Sequence, residues 1–122
     1  MNFTVLIVDD SVINLDIMES FLAPLHLDLV KALSAEEGLE LIQRQHVSMI
    51  ITDIMMGGNL RSGVELAESA RDLEDYEMTP MIAITCDNSF TNTEDEIFDD
   101  VIHRPVGSEV LISTVKKFLP GF

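Results

Sequence analysis

A chain of 122 residues, 47% of them hydrophobic, is long enough to bury one sizeable core and is read as one domain over residues 1–122. Seven basic residues against 22 acidic ones give a formal charge of −15, which repels nucleic acid and anionic membrane and offers neither a basic stripe. No apolar stretch reaches the ~18 residues of a membrane span, the chain starts without a basic leader or cleavage site, and the single cysteine, Cys86, excludes an internal disulfide and a cysteine-built metal site; the expected setting is the cytoplasm.

In chain order, Phe3–Val8 reads as a buried strand closed by Asp9 and Asp10, because a short apolar run with β-branched residues suits a sheet covered on both faces. Ser11–Leu22 follows as a helix whose Ile13, Ile17 and Phe21, with Leu15, Met18 and Leu22, cover a broad face, and Pro24 ends it. Leu27–Ala32 is the second strand, Ala35–Arg44 a helix, and Val47–Asp53 a third strand that closes on another aspartate. Gly57, Gly58 and Asn59 predict a long, loose loop before a helix over Val64–Leu73. Pro80–Thr85 is the fourth strand. The stretch Asp87–Asp99 offers only Phe90, Ile97 and Phe98 as large apolar residues among many polar ones, so a short or irregular helix is expected there. Asp100–Arg104 is the fifth strand, and Gly107–Leu119 the last helix, with Val110, Leu111, Val115 and Phe118 facing inward and Lys116 and Lys117 at its positive-preferring end.

Strands alternating with helices imply an α/β fold: a doubly wound, five-stranded parallel sheet, flavodoxin-like, in the order 2-1-3-4-5. That order sets the first and third strands side by side and gathers Asp9, Asp10 and Asp53 at one sheet edge, with Thr85 and Arg104 ending neighbouring strands. Three anions so close repel one another, whereas a hard divalent cation such as Mg²⁺ turns them into a binding site for a phosphate group. A simpler reading of Asp9 and Asp10, as caps of the following helix, stays open at this point. His26, His46 and His103 have no metal-ligand spacing, and His103 is expected to face solvent.

With these residues in place, the chain resembles, end to end, a receiver domain of two-component response regulators. The matching segments are Val5–Ser11, Asn14, Ile50–Met56, Pro80–Thr85 and the pair Arg104-Pro105. The resemblance implies that Asp53 accepts a phosphoryl group from a sensor histidine kinase or a histidine phosphotransfer protein. It further implies that Asp9, Asp10, Asp53 and the backbone carbonyl of Met55 hold Mg²⁺, and that Thr85 and Arg104 contact the phosphoryl oxygens.

Four departures from the family pattern stand out. Arg104 replaces the usual lysine, a planar fork in place of a compact ammonium, suited either to clamping phosphate bidentately or to locking Asp53 in a salt bridge. Val101 occupies the switch position, where the family carries an aromatic ring. The loop after Asp53 has Gly57 in place of a proline and Arg61 in place of a glycine, with Gly63 two positions late. The span from Thr85 to Arg104 is short, and the shortening falls in the weak fourth helical segment.

The expected function is therefore a stand-alone phospho-accepting receiver that signals by contact with a downstream protein and binds neither nucleic acid nor membrane directly. The alternative is a phosphorylation-independent pseudo-receiver acting as an interaction module. An enzyme with an external substrate is not expected: two carboxylates after the first strand would repel a flavin phosphate, and Asp9-Asp10-Ser11 departs from the Asp-x-Asp of haloacid-dehalogenase phosphatases.

Overall fold

The structure, a computed structural model, describes residues 3–87 and 97–122. Five strands, β1 (Thr4–Val8), β2 (Asp28–Ala32), β3 (Met49–Asp53), β4 (Met81–Thr85) and β5 (Asp100–His103), form one parallel sheet in the order β2-β1-β3-β4-β5. Four described helices connect and cover them: α1 (Val12–Leu22), α2 (Ala35–Arg44), α3 (Ser62–Arg71) and α4 (Ser108–Phe118). This is the expected doubly wound arrangement. The helix foreseen within Asp87–Asp99 falls on residues 88–96, outside the described residues.

The unbroken apolar runs follow from burial on both faces of the sheet. Along β1, Leu6 and Val8 join a core with Ile50, Ala83, Leu66 and Ala67, beneath α2 and α3. Val5 and Ile7 point the other way, into a second core with Ile51, Ile84, Leu15 and Leu111, beneath α1 and α4. A fully buried side chain of this size contributes about 1.5–3 kcal/mol, so the strands anchor both layers.

Helix faces are narrower than the sequence pattern implied. Leu15, Met18 and Leu22 are buried, but Ile13 and Ile17 are exposed on α1, as is Val110 on α4. Their apolar character says nothing about direction; the 3.6-residue repeat aims each away from the buried line of its helix. Helix α3 starts at Ser62, two positions earlier than expected, because the Gly63 N–H bonds to the carbonyl of Ile54 at 2.8 Å and draws the first turn onto β3. Pro24 sits inside a short 3-10 turn, Ala23–Leu25, that prolongs α1.

Candidate functional site

The parallel register brings the acidic residues together. Val8 of β1 pairs with Thr52 of β3, so Asp9 and Asp53 leave adjacent strands at the same level. Asp10 follows at once. One oxygen from each of Asp9, Asp10 and Asp53 lies within 4.8 Å of the others.

Asp9 is fully buried and held by polar partners on every side. Its Oδ1 accepts from the Ser11 N–H at 2.9 Å, and its Oδ2 accepts from Asn14 Nδ2 at 3.3 Å and from Arg104 Nη2. The capping reading falls here: the N-cap of α1 is Ser11, whose hydroxyl accepts from the Asn14 N–H, so neither aspartate is used as the cap. Asn14 was legible only as part of a motif; its amide turns out to orient Asp9.

Asp10 is exposed, yet its Oδ2 accepts from the Gly57 N–H at 2.9 Å. That amide belongs to a tight turn, closed by bonds between Met56 and Asn59 in both directions at 3.2 and 3.0 Å. Gly57 and Gly58 both take positive φ, at 59° and 79°, which is what a two-residue turn of this hand requires. The expected loose loop is thus an ordered clasp on Asp10. Ser62 strengthens it by donating its hydroxyl to the Met56 carbonyl at 2.9 Å.

Asp53 sits at the floor of the crevice, its side chain 14% exposed. Burial pushes its pKa up to about 6; Arg104 opposes the shift, and the charges of Asp9 and Asp10 add to it. Its backbone is tightly set: the Thr52 hydroxyl donates to the Asp53 carbonyl at 2.9 Å, and the next residue, Ile54, donates its N–H to the Ile84 carbonyl at 3.0 Å. Gly63 packs so closely that a Cβ there would lie 2.2 Å from the Asp53 carbonyl oxygen. The sequence signal for it was a glycine at the start of a helix, read only as a displaced family residue.

Thr85 and Arg104 face Asp53 across the crevice, linked by the Arg104 N–H to the Thr85 carbonyl at 2.8 Å. The Thr85 hydroxyl accepts from the Asp87 N–H at 3.0 Å, a bond that uses only its acceptor capacity. Arg104 pairs directly with Asp9 and stands 3.6 Å from Asp53 Oδ2, so its principal partner is the neighbouring carboxylate and not the expected one. The Arg104-Pro105 peptide bond is cis. Val101 is partly buried against the core under α2 and α3, and His103 is exposed as expected. Ile54, Met55, Leu60 and Cys86 complete the walls of the crevice, whose volume is about 300 Å³.

The donor set fits a hard divalent cation. Three convergent carboxylates supply oxygen ligands, and the charges of Asp9 and Asp10, which add to the burial-raised pKa of Asp53, are what such an ion would neutralise.

A carboxylate pocket at the carboxyl edge of an open parallel sheet, where strand order reverses, defines an α/β protein with its site at the switch point. Comparison with known proteins gives the family: residues 5–116 match the response regulator receiver domain, and the chain belongs to it. Among curated relatives, stress response regulator protein 1 of Candida tropicalis is 30% identical over 86% of this chain and 41% of its own length. Heme response regulator HssR of Staphylococcus aureus is 29% identical over 93% of this chain and 50% of its own. The chain therefore spans half the length of these relatives or less. Among solved structures, a response regulator from Chloroflexus aurantiacus superposes with a TM-score of 0.87 at 25% identity, covering 97% of this chain and 98% of the other. Chemotaxis response regulator CheY4 of Vibrio cholerae gives 0.85 at 22% identity, covering 98% and 100%.

Proposed function

We propose that this receiver domain is a phospho-accepting member of a phosphorelay, with Asp53 as the acceptor. The observation that carries the reading is the convergence of Asp9, Asp10 and Asp53 within 4.8 Å, with Thr85 and Arg104 lining one crevice together with Asp53. Asp53 is the central group: it ends β3, shares the metal-type cluster with Asp9 and Asp10, and lines the crevice with Thr85 and Arg104.

In the proposed reaction a carboxylate oxygen of Asp53 forms a bond to phosphorus as the N–P bond of a donor phosphohistidine breaks. The electron pair of the broken bond returns to the imidazole nitrogen, which takes up a proton. Phosphoryl transfer depends mainly on position and charge stabilisation, and this crevice supplies both. Thr85 donates its hydroxyl proton to one phosphoryl oxygen, and Arg104 supplies positive charge to another. Mg²⁺, held by Asp9, Asp10, Asp53 and the Met55 carbonyl, would neutralise developing charge on the phosphoryl oxygens. In support, the structurally similar TrrA of Thermotoga maritima, 23% identical with a TM-score of 0.84, was solved in complex with Mg²⁺-BeF.

The rest of the proposal concerns partners. The donor is a sensor histidine kinase or a histidine phosphotransfer protein, and the output is contact with a downstream protein in the cytoplasm. A charge of −15 favours a protein over nucleic acid or membrane as the direct partner, and no described helix is long and apolar enough to cross a membrane. The chain turns over no separate substrate, acting at most in its own phosphorylation and dephosphorylation. A second reading, a phosphorylation-independent interaction module, is favoured by one observation, the pairing of Arg104 with Asp9.

Exposure to a small phosphodonor such as acetyl phosphate, read by intact mass, tests the proposal. One phosphoryl addition that requires Mg²⁺ is expected. No addition with or without Mg²⁺ would overturn it in favour of the second reading.

A further inference from the structure

The sheet has a second edge. Phe3 and Pro80, just ahead of β1 and β4, line a hollow of about 440 Å³ with Phe118 and Pro120, at the amino ends of the strands and opposite the edge that carries Asp53. Phe3 and Phe118 are only partly buried against the second core, and Met78 in the same wall is 87% exposed. A further hollow of about 290 Å³, walled by Leu25, Leu27 and Phe122, shares Phe3 and Pro120 with the first, so the two adjoin. Glu74, Asp75 and Glu77, all exposed, complete the larger hollow.

These three carboxylates stand on a fixed turn. Tyr76, between them, is buried and donates its hydroxyl to the Ile42 carbonyl at 2.7 Å, and Arg71 Nη1 donates to the carbonyls of Glu77 and Thr79 at 3.0 and 2.6 Å. None of the three carboxylates has an ion-pair partner among the described residues, although Lys117 stands over the ring of Phe118 at 5.2 Å. A preorganised acidic wall beside apolar hollows suits a cationic occupant with apolar anchors and loses little freedom in holding it. Nucleic acid, anionic membrane and a second copy of this chain, itself at −15, are repelled.

We infer that the amino edge of the sheet is a docking groove for a short segment of a partner protein in which two apolar residues are flanked by lysine or arginine. The apolar pair fills the hollows on either side of Phe3 and Pro120, and the basic side chains meet Glu74, Asp75 and Glu77. The inference goes beyond the phospho-accepting reading and holds without it, because the groove and Asp53 lie at opposite edges of the sheet. A docked segment leaves the crevice open, so the chain can engage this partner and a phosphodonor together.

Fluorescence anisotropy of the full chain with a labelled peptide, RKLFRK, at about 0.15 M salt tests the inference. Saturable binding to wild type is expected, with RKGGRK, equal in charge but lacking the anchors, at least about tenfold weaker. Glu74→Gln/Asp75→Asn/Glu77→Gln should weaken RKLFRK about tenfold, and Met78→Ser about fivefold. Both variants change only exposed side chains. Glu36→Gln/Glu40→Gln/Glu109→Gln, which removes three charges from α2 and α4, should stay within about twofold of wild type. No saturable binding of RKLFRK overturns the inference. Equal binding of RKGGRK, or equal weakening by the two triple variants, overturns it in favour of diffuse charge attraction.

Discussion

Gly63 and Asp53 are in backbone contact: a Cβ on Gly63 would stand 2.2 Å from the Asp53 carbonyl oxygen and 2.9 Å from the Cα of Ile54. The first turn of α3 therefore fixes the peptide that carries the acceptor, and no side chain fits between them. Backbone, unlike a flexible side-chain tip, gives way only by moving the whole strand end.

Gly63→Ala should accordingly destabilise the fold by about 1–3 kcal/mol, the usual cost of overpacking a tight interior. Urea unfolding measures it. The same substitution should slow phosphorylation of Asp53 by shifting it against Thr85 and Arg104. A variant as stable as wild type would show that α3 can retreat from β3 without cost.

Divalent cation should stabilise the chain, since Asp9, Asp10 and Asp53 repel one another without it. Saturation at ~100 times the dissociation constant adds about 2.7 kcal/mol. Asp10→Asn should reduce the gain while keeping the clasp, because an amide oxygen still accepts from the Gly57 N–H. Thermal unfolding with and without millimolar Mg²⁺ checks both statements; an unmoved wild-type melting temperature would count against the pocket.

Much of this was legible in sequence, for identifiable reasons. Apolar runs ending on aspartates report buried parallel strands directly, so Asp9, Asp10 and Asp53 could be placed together once strand order was assigned. Features that depend on side-chain reach were not legible. Arg104 lies in the expected crevice, yet its long arm passes Asp53 to pair with Asp9. The Gly57-Gly58 pair suggested slackness, while the positive φ that only glycine adopts easily makes a tight turn there and hands an N–H to Asp10. The outward aim of Ile13 and Ile17 was hidden because an apolar helix pattern defines a face more broadly than the neighbouring layer covers it.

The raised pKa of Asp53 sets a pH dependence whose sign is opposite to that of a salt-bridged carboxylate. Its folded value, about 6, lies above the ordinary 3.8, so the folded state binds this proton more tightly than the unfolded one. The contribution to stability is complete below about pH 4 and is lost as pH rises through 6. Solvent screening at the half-open crevice holds it to the order of 1–2 kcal/mol. In urea unfolding without divalent cations, Asp53→Asn should remove that part of the slope between pH 4 and 7. Identical slopes for the two proteins would contradict the assignment.

Tyr76 tests the scaffold away from the crevice. Its buried hydroxyl donates to the Ile42 carbonyl at 2.7 Å and accepts from the Val47 N–H at 3.3 Å, tying the end of α2 to the approach of β3. Tyr76→Phe leaves these groups without that partner and should cost about 1–3 kcal/mol. Phosphorylation of Asp53 in the folded variant should be unaffected, and a loss of acceptor function at unchanged stability would revise the division between scaffold and site.

The central claim is that Asp53, and neither neighbouring acid, receives the phosphoryl group. After treatment with acetyl phosphate and Mg²⁺, borohydride reduction converts an aspartyl phosphate to homoserine, and peptide mass mapping then locates it. The account predicts homoserine at position 53 alone, and none anywhere in Asp53→Asn. Homoserine at Asp9 or Asp10, or undiminished conversion in Asp53→Asn, would contradict it.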